Sequence, residues 1–385
     1  MLPSTQVTIV QRILPRYRVS FIVALHEALA KRGIELKFIY GQERSGTVPV
    51  SVAFDAPWAR RITNRYFPIA GKEPVWQPCL TLIDNSALVI VEQSNRLLVN
   101  LALLGLSRYI NTKIAFWGHG KNFQAHEKGP LEFLSGYLKN FLSVRVHWWF
   151  AYTSLSQQAV IASGYPGARV TVVQNAIDTS NLDAHLNLCN ADEVRRLERA
   201  FNVTPGFVGL YCGGMYRHKR LGFLLEACRL IKDRVPQFSM IFIGDGPDSS
   251  EVVRAAAECP WIHYAGPKYE RELALFYRMS SAILMPGAVG LAIVDSFVAG
   301  IPLFTTNISL HGPEIAYLEN RVNGVITADH PREYADAVTD FLMRGEARVE
   351  FAEGLKHAKA KYTLDNMVAN FADGIEAALA HPVKS

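Results

Sequence analysis

The sequence predicts an α/β protein built as two doubly wound parallel-sheet domains, and three observations predict it. The chain has 385 residues, beyond the usual limit of one hydrophobic core. Its composition, 49% apolar and 19% charged, is that of a globular protein. Short apolar runs of strand character alternate with stretches of helical periodicity, and the alternation stops once and starts again.

The first run opens on "VTIVQ" (7–11), β-branched and apolar, read as a strand. "FIVALHEALAKRG" (21–33) repeats its apolar residues at helical spacing and closes on Lys31, Arg32 and a stopping Gly33. "ELKFIY" (35–40), "ALVIVE" (87–92) and "KIAFWG" (113–118) supply further strands. The polar stretch "SNLDAHLNLCNADEVRRLERAFNVTP" (180–205) holds the expected linker, residues 181–205. The second run has strands at "FVGLYCGG" (207–214), "FSMIFIGDG" (238–246), "SAILMPG" (281–287) and "IPLFTT" (301–306). Helices at "LGFLLEACRLIKDRV" (221–235) and "ELALFYRMS" (272–280) lie between them. The expected domains are therefore 1–180 and 206–363, with an amphipathic helix over 364–380 free to pack back onto the first.

Targeting and charge narrow the function. "MLPSTQVTIVQRILPRYR" lacks the basic, apolar, small-residue order of a signal peptide. No uncharged apolar run reaches the ~20 residues of a membrane span. Five scattered cysteines without CxxC spacing suit a reducing, cytoplasmic interior. Residues 1–180 hold 19 Lys and Arg against 10 Asp and Glu, net +9, whereas 181–385 hold 21 against 25, net −4. The basic half is either a solvated face or the side that meets an anionic partner, such as a membrane surface, a diphosphate or nucleic acid. "LEFLSGYLKNFLSVRVHWWF" (131–150) mixes apolar residues with Lys139, Arg145, Trp148 and Trp149, a mix that suits an interface; equally, "HWWFAY" reads as a buried strand.

In open α/β sheets ligands sit beyond the carboxyl ends of the strands, so the loops leaving them are the candidates. "CGGMYRHKRLGFLLEA" (212–227) places Gly213, Gly214, Arg217, Lys219 and Arg220 between strand and helix, either an anion site or a solvated basic turn. "FIGDGPDSS" (242–250) offers Gly244, Gly246 and Pro247, half of a dinucleotide fingerprint or simply a turn. "PGAVGLAIVDSFVAGIPLFTT" (286–306) places Gly287, Val289, Gly290 and Leu291 at a helix start with one acid, Asp295. That carboxylate can accept two hydroxyl hydrogen bonds from a ribose, or it is a solvent-facing helix residue. In the first half, "FWGHGKNFQ" (116–124) presents His119, Lys121 and Asn122, and "LPRYRVSF" (14–21) carries Arg16 and Arg18. No HExxH, CxxC or DxD spacing provides a metal site.

Taken in order, these segments resemble the GT-B glycosyltransferases, most closely the large retaining family 4 (glycosyl transferases group 1). The resemblance runs through "QNAIDTSNL" (174–182), "GGMYRHKR", "IGDGP", "YAGPKYERELALFYRMSSAILMP" and "GLAIVDSFVAGIPLFTT" to "HGPEIAYLENRVNGV" (311–325). It implies two Rossmann-like domains facing a cleft. It also implies transfer of a sugar from a nucleotide-sugar donor, a UDP- or GDP-sugar, with no cofactor or metal. The acceptor would be a saccharide or a polyprenyl-diphosphate-linked chain in polysaccharide or glycolipid synthesis, reached from the inner face of the membrane, with no nucleic acid involved.

By the same resemblance Lys219 neutralises the leaving diphosphate and His119 lies near the donor sugar; Arg16, Arg18, Lys121 and Asn122, on the loops of the first half, are the residues expected to meet the acceptor, although "PRYR" replaces the Gly-Gly of the family's first loop. Aligned on the family's pair of acids, the second falls at Asp295 and the first at Gly287, so one is shortened and one is absent. The backbone from Gly287 to Gly290 is the remaining hydrogen-bonding surface there. The family's Arg of the phosphate loop falls at Gly214, leaving Arg217 or Arg220 to supply that charge. A sugar-nucleotide epimerase of GT-B shape and a non-catalytic sugar-nucleotide or glycan-binding subunit are the rival expectations.

Overall fold

The structure is a computed structural model that describes residues 5–46, 51–69, 73–106, 111–120, 144–345 and 347–382. The chain forms two compact units, Met1–Asp178 with Leu364–Ser385, and Thr179–Thr363.

The first unit is built on strands β1 (Thr5–Gln11), β2 (Ile34–Tyr40) and β3 (Ala59–Arg61), a small ribbon of β4 (Arg65–Tyr66) and β5 (Val75–Trp76), then β6 (Leu88–Glu92), β7 (Lys113–Gly118), β8 (Trp148–Ala151) and β9 (Val170–Val172). Seven of them make one sheet in the order β3-β2-β1-β6-β7-β8-β9. Every pairing in it is parallel. Because helices cover both faces, these strands are apolar on both sides rather than alternating. Ile9, Phe38, Ile90, Trp117 and Phe150 meet Phe21 and Leu25 of the helix Val19–Ala30 on one face. Val10, Ile39, Val91, Phe116 and Trp149 meet Val99, Leu103 and Val160 on the other. The terminal helix Leu364–Ala380 belongs to this unit: Phe371 stacks on Phe150 at 4.4 Å, and Arg32 bridges to Asp373 at 2.7 Å.

Trp148 and Trp149 lie in β8 and are buried, so neither is available to an interface. Their indoles fill opposite faces of the sheet, which is why two adjacent tryptophans are tolerated in one strand. Lys139 and the rest of 131–143 lie outside the described residues.

The second unit contains β10 (Val208–Cys212), β11 (Ser239–Ile243), β12 (Ile262–Gly266), β13 (Ala282–Leu284), β14 (Leu303–Thr306) and β15 (Gly324–Thr327). Their order, β12-β11-β10-β13-β14-β15, is the doubly wound order that reverses between the first and fourth strands. Its crevice therefore opens at the carboxyl ends of β10 and β13. The stretch 181–205, expected to be a linker, is instead two helices of this unit, Ser180–Leu188 and Ala191–Ala200. Asn190 and Glu193 form a reciprocal capping box at the second helix, which explains how so polar a segment holds a defined start. Arg278 donates to the Leu186 carbonyl at 2.9 Å and Arg271 bridges to Glu193 at 2.7 Å, tying both helices to Glu270–Met279.

Candidate functional site

At the switch point of the second unit the loops leaving β10 and β13 are joined. The Ala288 amide donates to the His218 carbonyl at 2.8 Å, and Lys219 Nζ donates to the Ala288 carbonyl at 2.5 Å. Lys219 is only 7% exposed and lies against Tyr216 and the Met285 sulfur. Burial lowers its ammonium to about 8. Arg220 has left-handed backbone at φ 56° and caps the helix Leu221–Arg234 with no side-chain hydrogen bond. No acid stands in the first turn of that helix, so its amides and dipole present positive charge toward the loop.

The three cations of this loop separate clearly. Arg220 is committed to Asp329 and rests over the Phe223 ring. Lys219 is buried beneath the loop, and Arg217 is exposed with no ion pair among the described residues. Of the two arginines that could replace the family's cation, Arg217 is thus the one with its charge uncommitted. Gly214, where that cation would stand, is exposed, and a Cβ there would lie 3.1 Å from the Tyr216 ring.

The turn after β11 supports this loop. A Cβ at Gly244 would sit 2.0 Å from the Gly213 carbonyl oxygen, and one at Gly246 would sit 2.2 Å from that of Met215. The Met215 amide donates to Asp245 O at 2.8 Å and the Asp248 amide to Met215 O at 3.0 Å. Both glycines are therefore required by backbone packing, which accounts for them without any ligand, while Pro247 is exposed beyond them.

At the absent acid, Gly287 has no room for a side chain. A Cβ there would lie 2.4 Å from the His218 carbonyl oxygen and from the Lys219 carbonyl carbon and oxygen. The backbone from Gly287 to Gly290 is also partly consumed. The Val289 amide donates to His311 Nδ1 at 3.1 Å, and Val289 O accepts from the Gly312 amide at 2.7 Å. Val289 itself is core. Its backbone and that of Ala288 are unavailable to a ligand, which leaves the Gly287 and Gly290 ends of the loop.

Asp295 stands in the first turn of the helix Ala292–Ala299, half-buried near Cys212 and Tyr277. Burial raises its carboxyl to about 7, and among the described residues no ion pair or side-chain hydrogen bond offsets it. Leu291 precedes that turn as its N-cap.

His311 escaped the sequence reading. It is buried, with Nε2 2.7 Å from the Thr306 carbonyl and Nδ1 accepting from Val289, so Nε2 carries the proton. Burial lowers its pKa and keeps it neutral. Its only sequence sign is its place in "HGPE", just after the β14 strand. Glu314 is also buried, its carboxylate facing Gly312 and Gly290.

In the first unit His119 follows β7, exposed, with its ring 4.3 Å from that of Tyr152. Arg16 is exposed, but Arg18, expected on an open loop, is buried. Lys121 and Asn122 lie outside the described residues. A cavity of about 900 Å³ lined by Asp84, Asn85, Asn111 and Thr112 lies at the amino ends of β6 and β7, away from all these loops. No group of three or more metal-ligating side chains gathers among the described residues.

The architecture is that of the GT-B fold, and residues 206–344 match the family described as glycosyl transferases group 1. The matched segment lies within the second unit. The chain is 23% identical over 226 residues to a D-inositol 3-phosphate glycosyltransferase of Corynebacterium urealyticum, a match covering 55% of this chain and about half (52%) of that relative. A solved structure of Anabaena Alr3699/HepE in complex with UDP has a TM-score of 0.68 at 15% identity, covering 97% of this chain and 99% of that one. A glycosyltransferase from Rickettsia africae has a TM-score of 0.69 at 13% identity, covering 99% and 100%. No helix among the described residues is long and apolar enough to cross a membrane.

Proposed function

We propose that the chain is a glycosyltransferase that moves a sugar from a UDP-sugar to a saccharide or lipid-linked acceptor. One observation carries this. At a single switch point the second unit joins a cationic loop and an uncapped helix start to an unneutralised carboxylate one helix turn into the next element. A nucleoside diphosphate combines the two complementary features, an anionic diphosphate and a ribose diol. The UDP and UDP-glucose bound in the Anabaena protein support uridine as the base.

In this reading the bond from the sugar's anomeric carbon to the diphosphate breaks as the acceptor hydroxyl attacks. Negative charge then grows on the leaving oxygen, and Lys219, Arg217 and the helix start stabilise it. These charges would do what a bound metal does in DxD enzymes, so the reaction is proposed to need none. Retention of configuration, a role for His119 beside the sugar, and work in cell-surface polysaccharide or glycolipid synthesis complete the proposal.

Membrane contact belongs to the same reading. Arg60, Arg61 and Arg65 are exposed, and Phe67 and Ile69 follow them at 42% and 63% exposure, a cationic and apolar mix suited to an anionic bilayer.

The test is incubation of radiolabelled UDP-glucose and UDP-N-acetylglucosamine with the protein and bacterial membranes. Label appearing in lipid or glycan supports transfer. An isomerised free donor indicates an epimerase, and an unchanged donor that nonetheless binds indicates a binding subunit.

A further inference from the structure

Arg18 poses a problem that the glycosyl-transfer reading does not solve. It is 3% exposed, yet none of the ion pairs among the described residues includes it. Its guanidinium donates to Asn175 Oδ1 at 2.5 Å and reaches the Met367 sulfur at 3.7 Å. Otherwise it faces aromatic rings, with Trp117 at 5.1 Å, Tyr17 at 5.2 Å and Tyr152 at 5.7 Å. A buried charge without a counter-ion is costly, and ring quadrupoles with one amide oxygen offset only part of that cost. A guanidinium has five N–H donors in a fork that matches an oxyanion, and among the described residues its hydrogen bonds go to two neutral atoms.

Location supplies the second argument. Arg18 follows β1, Trp117 closes β7, Tyr152 follows β8 and Asn175 follows β9. All four meet at the carboxyl edge of the sheet, where ligands of such folds sit. Arg18 is also the N-cap of the helix Val19–Ala30, whose first turn contains no acid. His119 touches the same Tyr152 ring that Arg18 faces. Tyr17, whose ring lies 5.2 Å from the guanidinium, is half exposed.

We propose that Arg18 anchors an oxyanion subsite in the first unit, and that the acceptor is therefore an anionic molecule carrying a phosphate or carboxylate close to the hydroxyl that receives the sugar. The inference rests on the glycosyl-transfer reading and narrows its acceptor class.

The test uses the full chain saturated with UDP, so that the site in the second unit is occupied. Pyrophosphate and glucuronate are titrated calorimetrically against the parent, Arg18→Met and Asn175→Asp. The first substitution removes the cation. The second places a carboxylate against it, an internal counter-ion that should fold at least as well as the parent. The parent should bind at least one of the two anions at millimolar concentration, pyrophosphate indicating a phosphorylated acceptor and glucuronate an acidic sugar. Both variants should weaken that binding at least tenfold, leave UDP affinity unchanged, and melt no lower than the parent. Anion binding by Asn175→Asp equal to the parent's, or no binding of either anion by a parent that binds UDP, overturns the subsite alone. Failure of the parent to bind UDP would instead count against the transfer reading.

Discussion

Acidification should loosen the protein's hold on the ribose, and Asp295 sets the pH at which this happens. Burial raises its carboxyl to about 7, so the anion that accepts two hydroxyl hydrogen bonds is present above that pH and lost below it. A group titrating at about 7 is mostly ionised at pH 8 and only about one-tenth ionised at pH 6. The ribose-dependent share of affinity should therefore fall ~10-fold over that interval, about 1.4 kcal/mol. Lys219 complicates a simple titration, because its ammonium, lowered to about 8, loses charge as the pH rises through that value. The assay cancels it by comparing UDP with 2′,3′-dideoxy-UDP, which carries the same diphosphate. The ratio of their dissociation constants should shrink ~10-fold from pH 8 to pH 6 in the parent and stay flat in Asp295→Asn. A flat ratio in the parent would refute the reasoning and make Asp295 an ordinary helix carboxylate.

Lys219→Ala should lower transfer ~10²-fold or more by removing a charge that stabilises the leaving diphosphate; activity within a few-fold of the parent would assign the role to Arg217. Gly287→Glu, which restores the family's first acid, should lose activity and melt several degrees lower, since its Cβ would meet carbonyl atoms at 2.4 Å and overpacking costs ~1–3 kcal/mol or more. An unchanged melting temperature would show that the loop opens readily. Transfer should survive EDTA, and a loss reversed by added Mg²⁺ or Mn²⁺ would contradict the proposed role of the cationic loop. Flotation with phosphatidylglycerol-containing vesicles should show binding that fades as salt rises and weakens in Phe67→Ser/Ile69→Ser. Equal binding to neutral vesicles would remove the electrostatic part of the membrane proposal.

Much of the fold is legible in the sequence. Strands buried on both faces leave unbroken apolar runs, so β1, β2, β6, β7, β10, β11 and β14 stand out, and the periodic helices stand out between them. The strands that escaped are short, such as Val170–Val172 and Gly324–Thr327, and too brief for a pattern to rise above the surrounding polar residues. Polarity misled in the opposite direction at 181–205, where a capping box and cross-links to Glu270–Met279 hold helices that composition assigns to a linker. Arg18 was legible as a cation on a β–α loop but not as a buried one. Its burial depends on the Trp117 ring of β7, on Tyr152 just after β8 and on the helix Leu364–Ala380, all distant in sequence.

The glycine at 287, where the family pattern has its first acid, follows from the packing of the loop after β10. The loop after β10 packs its His218–Lys219 backbone where a side chain at Gly287 would stand, and it is latched there by Ala288, whose amide donates to His218 and whose carbonyl accepts from Lys219. Lys219 thus holds the two loops together, and in the proposed transfer it would also have to turn to the diphosphate. The latch explains why the lysine is buried and its pKa depressed, since a carbonyl oxygen does not neutralise an ammonium as a carboxylate would. Donor binding would supply that neutralisation and release the Ala288 carbonyl, freeing the loop at the place where the family has its first acid. A sugar hydroxyl would then meet backbone there rather than a carboxylate. Discrimination among donor sugars should consequently rest less on charge at that position than on the shape of the loop between Gly287 and Gly290.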